Sequence, residues 1–164
     1  MEFNKYTDES LQFIFQEAEK IDNAINDTFR NINNKSYILL ASLITIAGWL
    51  ISLIDSNQNN AWIMVLFVVL LAYPFYILQK NLRPRTWRFP GAEPKLLMHE
   101  WFANTKQKEQ HRQLLIQRIE DLQLSLVQNS QELEYSSKRL KLALLSLAAI
   151  LILLLVFRLC ALMA

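Results

Sequence analysis

Residues 37–54 read YILLASLITIAGWLISLI, eighteen residues in a row without a charge. That is about the shortest helix able to cross the ~30 Å hydrocarbon core of a bilayer. A six-residue polar turn, DSNQNN at 55–60, follows, and residues 61–78, AWIMVLFVVLLAYPFYIL, make a second uncharged run of eighteen. So short a turn makes the pair an antiparallel hairpin. A third run, LALLSLAAILILLLVF at 142–157, is closed by Arg158 and the tail LCALMA. Arg158 reaches the headgroups by snorkelling, which extends this span to about twenty residues. Hydrophobic residues make up 52% of the chain, and most of the aliphatic ones sit in these three runs. The remaining polar sequence of a 164-residue chain is too short to cover three such helices in water. The expected fold class is an all-α membrane protein with three transmembrane helices and a cytoplasmic, coiled-coil-like helical stalk.

Orientation follows from the placement of Lys and Arg. The 55–60 turn has none, whereas residues 79–141 carry twelve bases against seven acids. The positive-inside rule places 79–141 and the N-terminus in the cytoplasm, with the C-terminus across the inner membrane. Residues 1–36, with seven acids against four bases, contain no apolar segment of signal-peptide type, so this N-terminus is expected to be retained. Four segments result: an amphipathic cytoplasmic helix (1–36), the hairpin (37–78), a basic linker with a long heptad helix (79–141), and the third span (142–164).

The cytoplasmic parts carry heptad seams. Leu11, Ile14, Ala18, Ile21, Ile25, Thr28 and Ile32 alternate at spacings of three and four, and Thr7 or Asp8 caps the helix. From about Glu100 to Lys141 the same pattern runs through Leu115, Ile119, Leu122, Leu126, Asn129, Leu133, Ser136 and Leu140. A polar layer such as Asn129 in an aliphatic seam fixes register and oligomer number. Asn129, with Leu122, Leu126 and Leu133, is therefore the expected oligomerisation element. Asn129→Leu is expected to raise stability while broadening the range of oligomers. Both seam helices run toward the membrane, so they should be roughly parallel, and a homo-oligomer should be favoured.

Residues able to carry chemistry are few. His99 and His111 stand twelve residues apart, about 18 Å along a helix, too far to share a metal. Cys160 is the one cysteine, and with two glycines there is no phosphate-binding loop. No catalytic residue, metal or cofactor is expected. Lys80, Arg83, Arg85 and Arg88, interleaved with Trp87 and Phe89, read as an anchor on anionic lipid; the alternative is a site for a phosphorylated ligand. A net charge of +2 gives no reason to expect nucleic acid as a partner. The spans contain no Asp, Glu, Lys or His, which argues against a proton-coupled transporter. Ala41, Thr45, Gly48 and Ser52 form a small-residue stripe on span one, suited to close helix packing or to lining a narrow pore.

The helix–hairpin arrangement of 7–78, the linker RPRTWRFPGAEP at 83–94 and the small size without catalytic motifs resemble the small multi-spanning effectors of bacterial antiviral systems. The resemblance is one of architecture over the whole chain and carries over no functional residue. It implies an oligomeric effector that permeabilises or depolarises the membrane when triggered. Its partners would be the bilayer, further copies, and a cytoplasmic protein or nucleotide-like activator. A non-conducting anchor or adaptor that recruits a partner through the stalk is the alternative.

Overall fold

The computed structural model describes residues 3–56, 61–82 and 106–163. A 3-10 turn, Phe3–Lys5, precedes three helices: α1 (Asp8–Ser56), α2 (Ala61–Leu82) and α3 (Gln107–Met163). No strand occurs among the described residues. Thr7 caps α1, its Oγ1 accepting from Ser10 N at 3.3 Å while Leu11 N donates to Thr7 O at 3.0 Å. Asp8 and Glu9 in the first turn complement the helix dipole. The polar helix at 8–35 and the first apolar run are one continuous α1 of 49 residues, and α3 runs unbroken for 57. At 1.5 Å per residue a bilayer takes up only about twenty residues of a helix, so it holds only part of each. Pro74 lies within α2, which remains helical through Leu82.

The described residues fall into two units, and each long helix contributes to both. Unit 1 joins Met1–Thr28 with Thr86–Leu133. In it α1 and α3 run parallel, since Asp8 meets Arg112 and Asp22 meets Asn129. Phe3, Leu11, Leu115 and Ile119 form its apolar centre, with Ile14, Phe15 and Ile116 packed against them. The α3 seam positions Leu115, Ile119, Leu122 and Asn129 are buried, and Leu126 and Leu133 are half-buried.

The α1 seam differs from the sequence expectation. Ile21 is 53% exposed and Thr28 is exposed, whereas Asp22 is only 4% exposed. The inward positions are Leu11, Phe15, Ala18, Asp22 and Ile25, again at spacings of four and three. Hydrophobicity alone favours Ile21. Leu11, Ile14, Ala18, Ile25 and Ile32 of the expected seam stay buried or half-buried; at the level of Ile21 it is Asp22 that turns inward, where α3 offers an amide, Asn129.

Unit 2 joins Phe29–Arg85 with Glu134–Ala164 and holds all three apolar runs. Asn81 meets Ser136, and Phe67 meets Phe157 in a tilted ring contact with centroids 6.4 Å apart. The sequence numbers diverge along the pair, so α2 is antiparallel to α3. Leu43 and Leu50 of α1, Met64, Phe67, Leu71 and Leu78 of α2, and Ala143, Leu147 and Ile150 of α3 make its core. All three helices are long and apolar enough to span a membrane, with peak mean hydropathies of 1.9, 2.4 and 2.8. Only 17%, 33% and 17% of those windows is buried. An apolar surface this extensive is stable in contact with lipid rather than water.

Candidate functional site

The small-residue stripe lies on the outside of unit 2. Ala41, Thr45, Gly48 and Ser52 are all exposed, while Leu43 and Leu50 of the same helix are buried. At about 100° per residue, the four small positions centre roughly 170° around the helix from the Leu43–Leu50 stripe. They therefore face directly away from the bundle core. A Cβ added at Gly48 would meet nothing within 4 Å. Each hydroxyl on this side is satisfied by its own helix. Ser42 Oγ donates to Ile38 O at 2.9 Å, Thr45 Oγ1 to Ala41 O at 3.0 Å and Ser52 Oγ to Trp49 O at 2.7 Å. Packing inside one copy does not use the stripe.

A buried polar layer crosses unit 2 where the apolar runs of α1 and α3 begin and that of α2 stops. Ser36, Asn81 and Ser136, one from each helix, are 0%, 1% and 0% exposed. Asn81 Nδ2 donates to Ser136 O at 3.1 Å and, more weakly, to Ser36 Oγ at 3.4 Å. A backbone carbonyl only accepts, so this contact fixes which amide atom is nitrogen. Ser36 Oγ in turn donates to Ile32 O at 2.9 Å. Asn81 Oδ1 is buried and has no donor among the described residues.

Unit 1 has its own polar layer. Asp22 Oδ2 accepts from Asn26 Nδ2 at 3.2 Å and Asp22 Oδ1 from Asn129 Nδ2 at 3.4 Å. This carboxylate is buried among amides with no cation paired to it among the described residues. At the start of the unit, Arg112 holds the chain end. Its guanidinium bonds the Asp8 carboxylate, Phe3 O at 3.0 Å and Tyr6 O at 2.8 Å. Asp8, Lys106, Glu109 and Arg112 line an open cleft of about 410 Å³ there. Arg118 lies over Phe15, 4.8 Å from the ring centroid.

Of the basic cluster, Lys80 is described: it sits over Tyr76, 4.4 Å from the ring centroid. Arg83, Arg85 and Arg88, and the linker at 83–94, lie outside the described residues, as does His99. Leu122, Leu126, Asn129 and Leu133 are directed into unit 1. Cys160 and His111 are exposed, and no three metal-ligating side chains converge among the described residues.

Three apolar helices, with no three metal-ligating side chains together among the described residues, describe many membrane proteins. A family model decides among them: the Pycsar effector protein domain, PycTM, matches residues 17–163. The chain belongs to this family. The PycTM match covers all three apolar helices and most of α1 and α3, and it makes the chain a membrane effector of bacterial antiviral defence. No curated protein and no solved structure matches the chain.

Sequence reasoning missed Asn81 and Asp22. Asn81 was within reach: Met64, Phe67, Leu71, Pro74 and Leu78 continue to it at spacings of three and four, so it extends the buried stripe of α2 past the apolar run.

Proposed function

We propose that this PycTM chain is an oligomeric membrane effector that permeabilises or depolarises the bilayer when triggered. It would work without catalysis. The observation that supports this most is the outward stripe of Ala41, Thr45, Gly48 and Ser52, opposite the core of its own bundle. Small residues on an exposed transmembrane face allow close helix approach between copies. In a ring of copies that face would flank, or line, a polar path. Leu122, Leu126, Asn129 and Leu133 contribute to assembly by fixing the register of the stalk that copies associate through. The Lys and Arg excess of 79–141 supports a cytoplasmic place for that stretch and for residues 1–36, in a chain that would sit in the inner membrane. There a protein or nucleotide-like activator would reach unit 1. Lys80, with Arg83, Arg85 and Arg88, would bind anionic lipid or that ligand.

Dye-loaded vesicles and native mass measurements on the full chain test the reading together. Gly48→Leu should lower leakage or disrupt the oligomer, and Thr45→Val should alter leakage while leaving the oligomer intact. Reporter fusions should place Gly91 in the cytoplasm and Ala164 outside it. A second reading, a non-conducting adaptor, draws support from the exposed apolar residues of unit 1: Phe13 (63%), Ile21 (53%), Leu124 (51%) and Val127 (50%). Vesicles that stay sealed under every trigger, together with a specific co-purifying partner, would replace the first reading by the second.

A further inference from the structure

We infer that unit 2 carries a binding collar for the phosphates of anionic phospholipids, built from Lys35, Lys80, Lys138, Arg139 and Lys141. The Asn81 hydrogen bonds to Ser36 and Ser136 set residues 36, 81 and 136 at one level of the bundle. The five cations lie within five residues of those positions on their own helices, so all fall within about 7.5 Å of that level along the axes. It is also the end at which the apolar runs of α1 and α3 begin and that of α2 stops. The cations therefore form a band on three helices rather than a patch on one.

The band carries five cations against two acids. Within five residues of positions 36, 81 and 136 the acids are Glu132 and Glu134, and the rest of unit 2 adds only Asp55, in the last turn of α1. Glu134 Oε1 bonds Lys138 at 2.6 Å, both side chains being well exposed. Lys35, Arg139 and Lys141 have no ion pair among the described residues. Tyr37, Tyr76 and Tyr135 stand in the same band, 59%, 52% and 54% exposed. Tyrosines exposed beside cations mark headgroup depth, where the ring meets acyl chain and the hydroxyl meets water. Lys80 lying over the Tyr76 ring holds one ammonium at that depth. The chemistry this arrangement suits is a monoanionic phosphate diester held at the bilayer surface by several cations at once. The inference does not depend on whether the bundle conducts.

The test uses the full chain purified in neutral detergent, with phosphatidylglycerol or phosphatidylcholine added and retained lipid counted by native mass spectrometry. The wild-type chain should retain phosphatidylglycerol preferentially. Each of Lys35→Gln, Arg139→Gln and Lys141→Gln should cut that preference by about fivefold, as expected for one cation at an anionic surface. Lys35→Arg with Lys141→Arg should restore it, and Arg158→Gln, which removes a cation outside the band, should leave it unchanged. The triple variant that combines Lys35→Gln, Arg139→Gln and Lys141→Gln should lose the preference altogether; circular dichroism checks that each variant is folded, and the single substitutions serve if the triple one is not. Millimolar inorganic phosphate should not displace the lipid; displacement would mean that a free anion is the ligand. Equal retention of the two lipids by the wild-type chain, or a folded triple variant with its preference intact, would overturn the collar.

Discussion

Replacing Asn81 by Leu should stabilise the protein, although it deletes two hydrogen bonds from a fully buried site. Asn81 is 1% exposed, and its amide nitrogen makes one ordinary contact with Ser136 O at 3.1 Å and one weak contact with Ser36 Oγ at 3.4 Å. Side-chain hydrogen bonds between membrane helices are worth about 0.6 kcal/mol each, so the deletion costs roughly 1 kcal/mol. The partners left behind stay satisfied: Ser36 keeps Ile32 O, and Ser136 O, inside α3, keeps its helical donor. Against this stands the unpartnered Oδ1, whose burial costs about 1–3 kcal/mol. Leu has the branched shape of Asn and removes that atom. The net expectation is a gain of about 1 kcal/mol, or roughly 2–4 °C in Tm for a chain of this size. Asn81→Ala gains nothing comparable, because it also leaves a cavity. Thermal unfolding in detergent, followed by circular dichroism at fixed protein and lipid, reads the difference. A fall in Tm for Asn81→Leu would refute the reasoning, because it would mean that Oδ1 has a donor.

Asn129→Leu should destabilise, reversing the expectation from the seam alone. It removes an amide donor from the buried Asp22 carboxylate, a loss of about 1.5–3 kcal/mol; the double variant with Asp22→Leu should recover most of it in the same unfolding assay. Arg112→Gln should loosen the start of unit 1 by about 1–2 kcal/mol, because the guanidinium ties Asp8, Phe3 O and Tyr6 O. Hydrogen exchange should then quicken at residues 8–14 and stay unchanged near Leu43. The hydrogen bond from Lys138, then its charge, lowers the Glu134 pKa below its usual 4.5, and the same two effects from Glu134 raise Lys138 above 10.5. The Glu134 share is thus present above 4.5 and lost as pH falls through the lowered value; the Lys138 share is present below 10.5 and lost as pH rises through the raised one. With both groups exposed to solvent screening, Glu134→Gln should leave Tm unchanged within error at pH 7 and pH 3, and a difference that depends on pH would show a stronger pair.

The spans and the inward face of α3 were legible because both are written in apolar residues, which bury or meet lipid whatever surrounds them. Leu115, Ile119 and Leu122 needed only spacing to be found. Asp22 was not legible, because a polar residue belongs inside only when a partner stands opposite, and partners are set by tertiary register; spacing alone could place Asn81 on the buried stripe of α2 but could not name its partners Ser36 and Ser136. One-dimensional periodicity ranked Ile21 above Asp22; the amide of Asn129 reversed the ranking. The small-residue stripe was legible as a pattern but not in its direction. Small residues suit the inside of a bundle as well as its outside, and Leu43 and Leu50 settle the matter only once α1 is packed.

The self-bonded hydroxyls of α1 have one more consequence. Ser42, Thr45 and Ser52 each place their proton on a carbonyl of the same helix, so none carries an unsatisfied donor into hydrocarbon. The oxygen lone pairs remain available on the outer side. Against acyl chains this side of the helix behaves as an oil-compatible surface; against water the same atoms accept hydrogen bonds with no backbone rearrangement. The face is therefore wettable without being hydrophilic. Which solvent it meets is decided by how copies are arranged around it, and exchanging one solvent for the other requires no change in the helix itself.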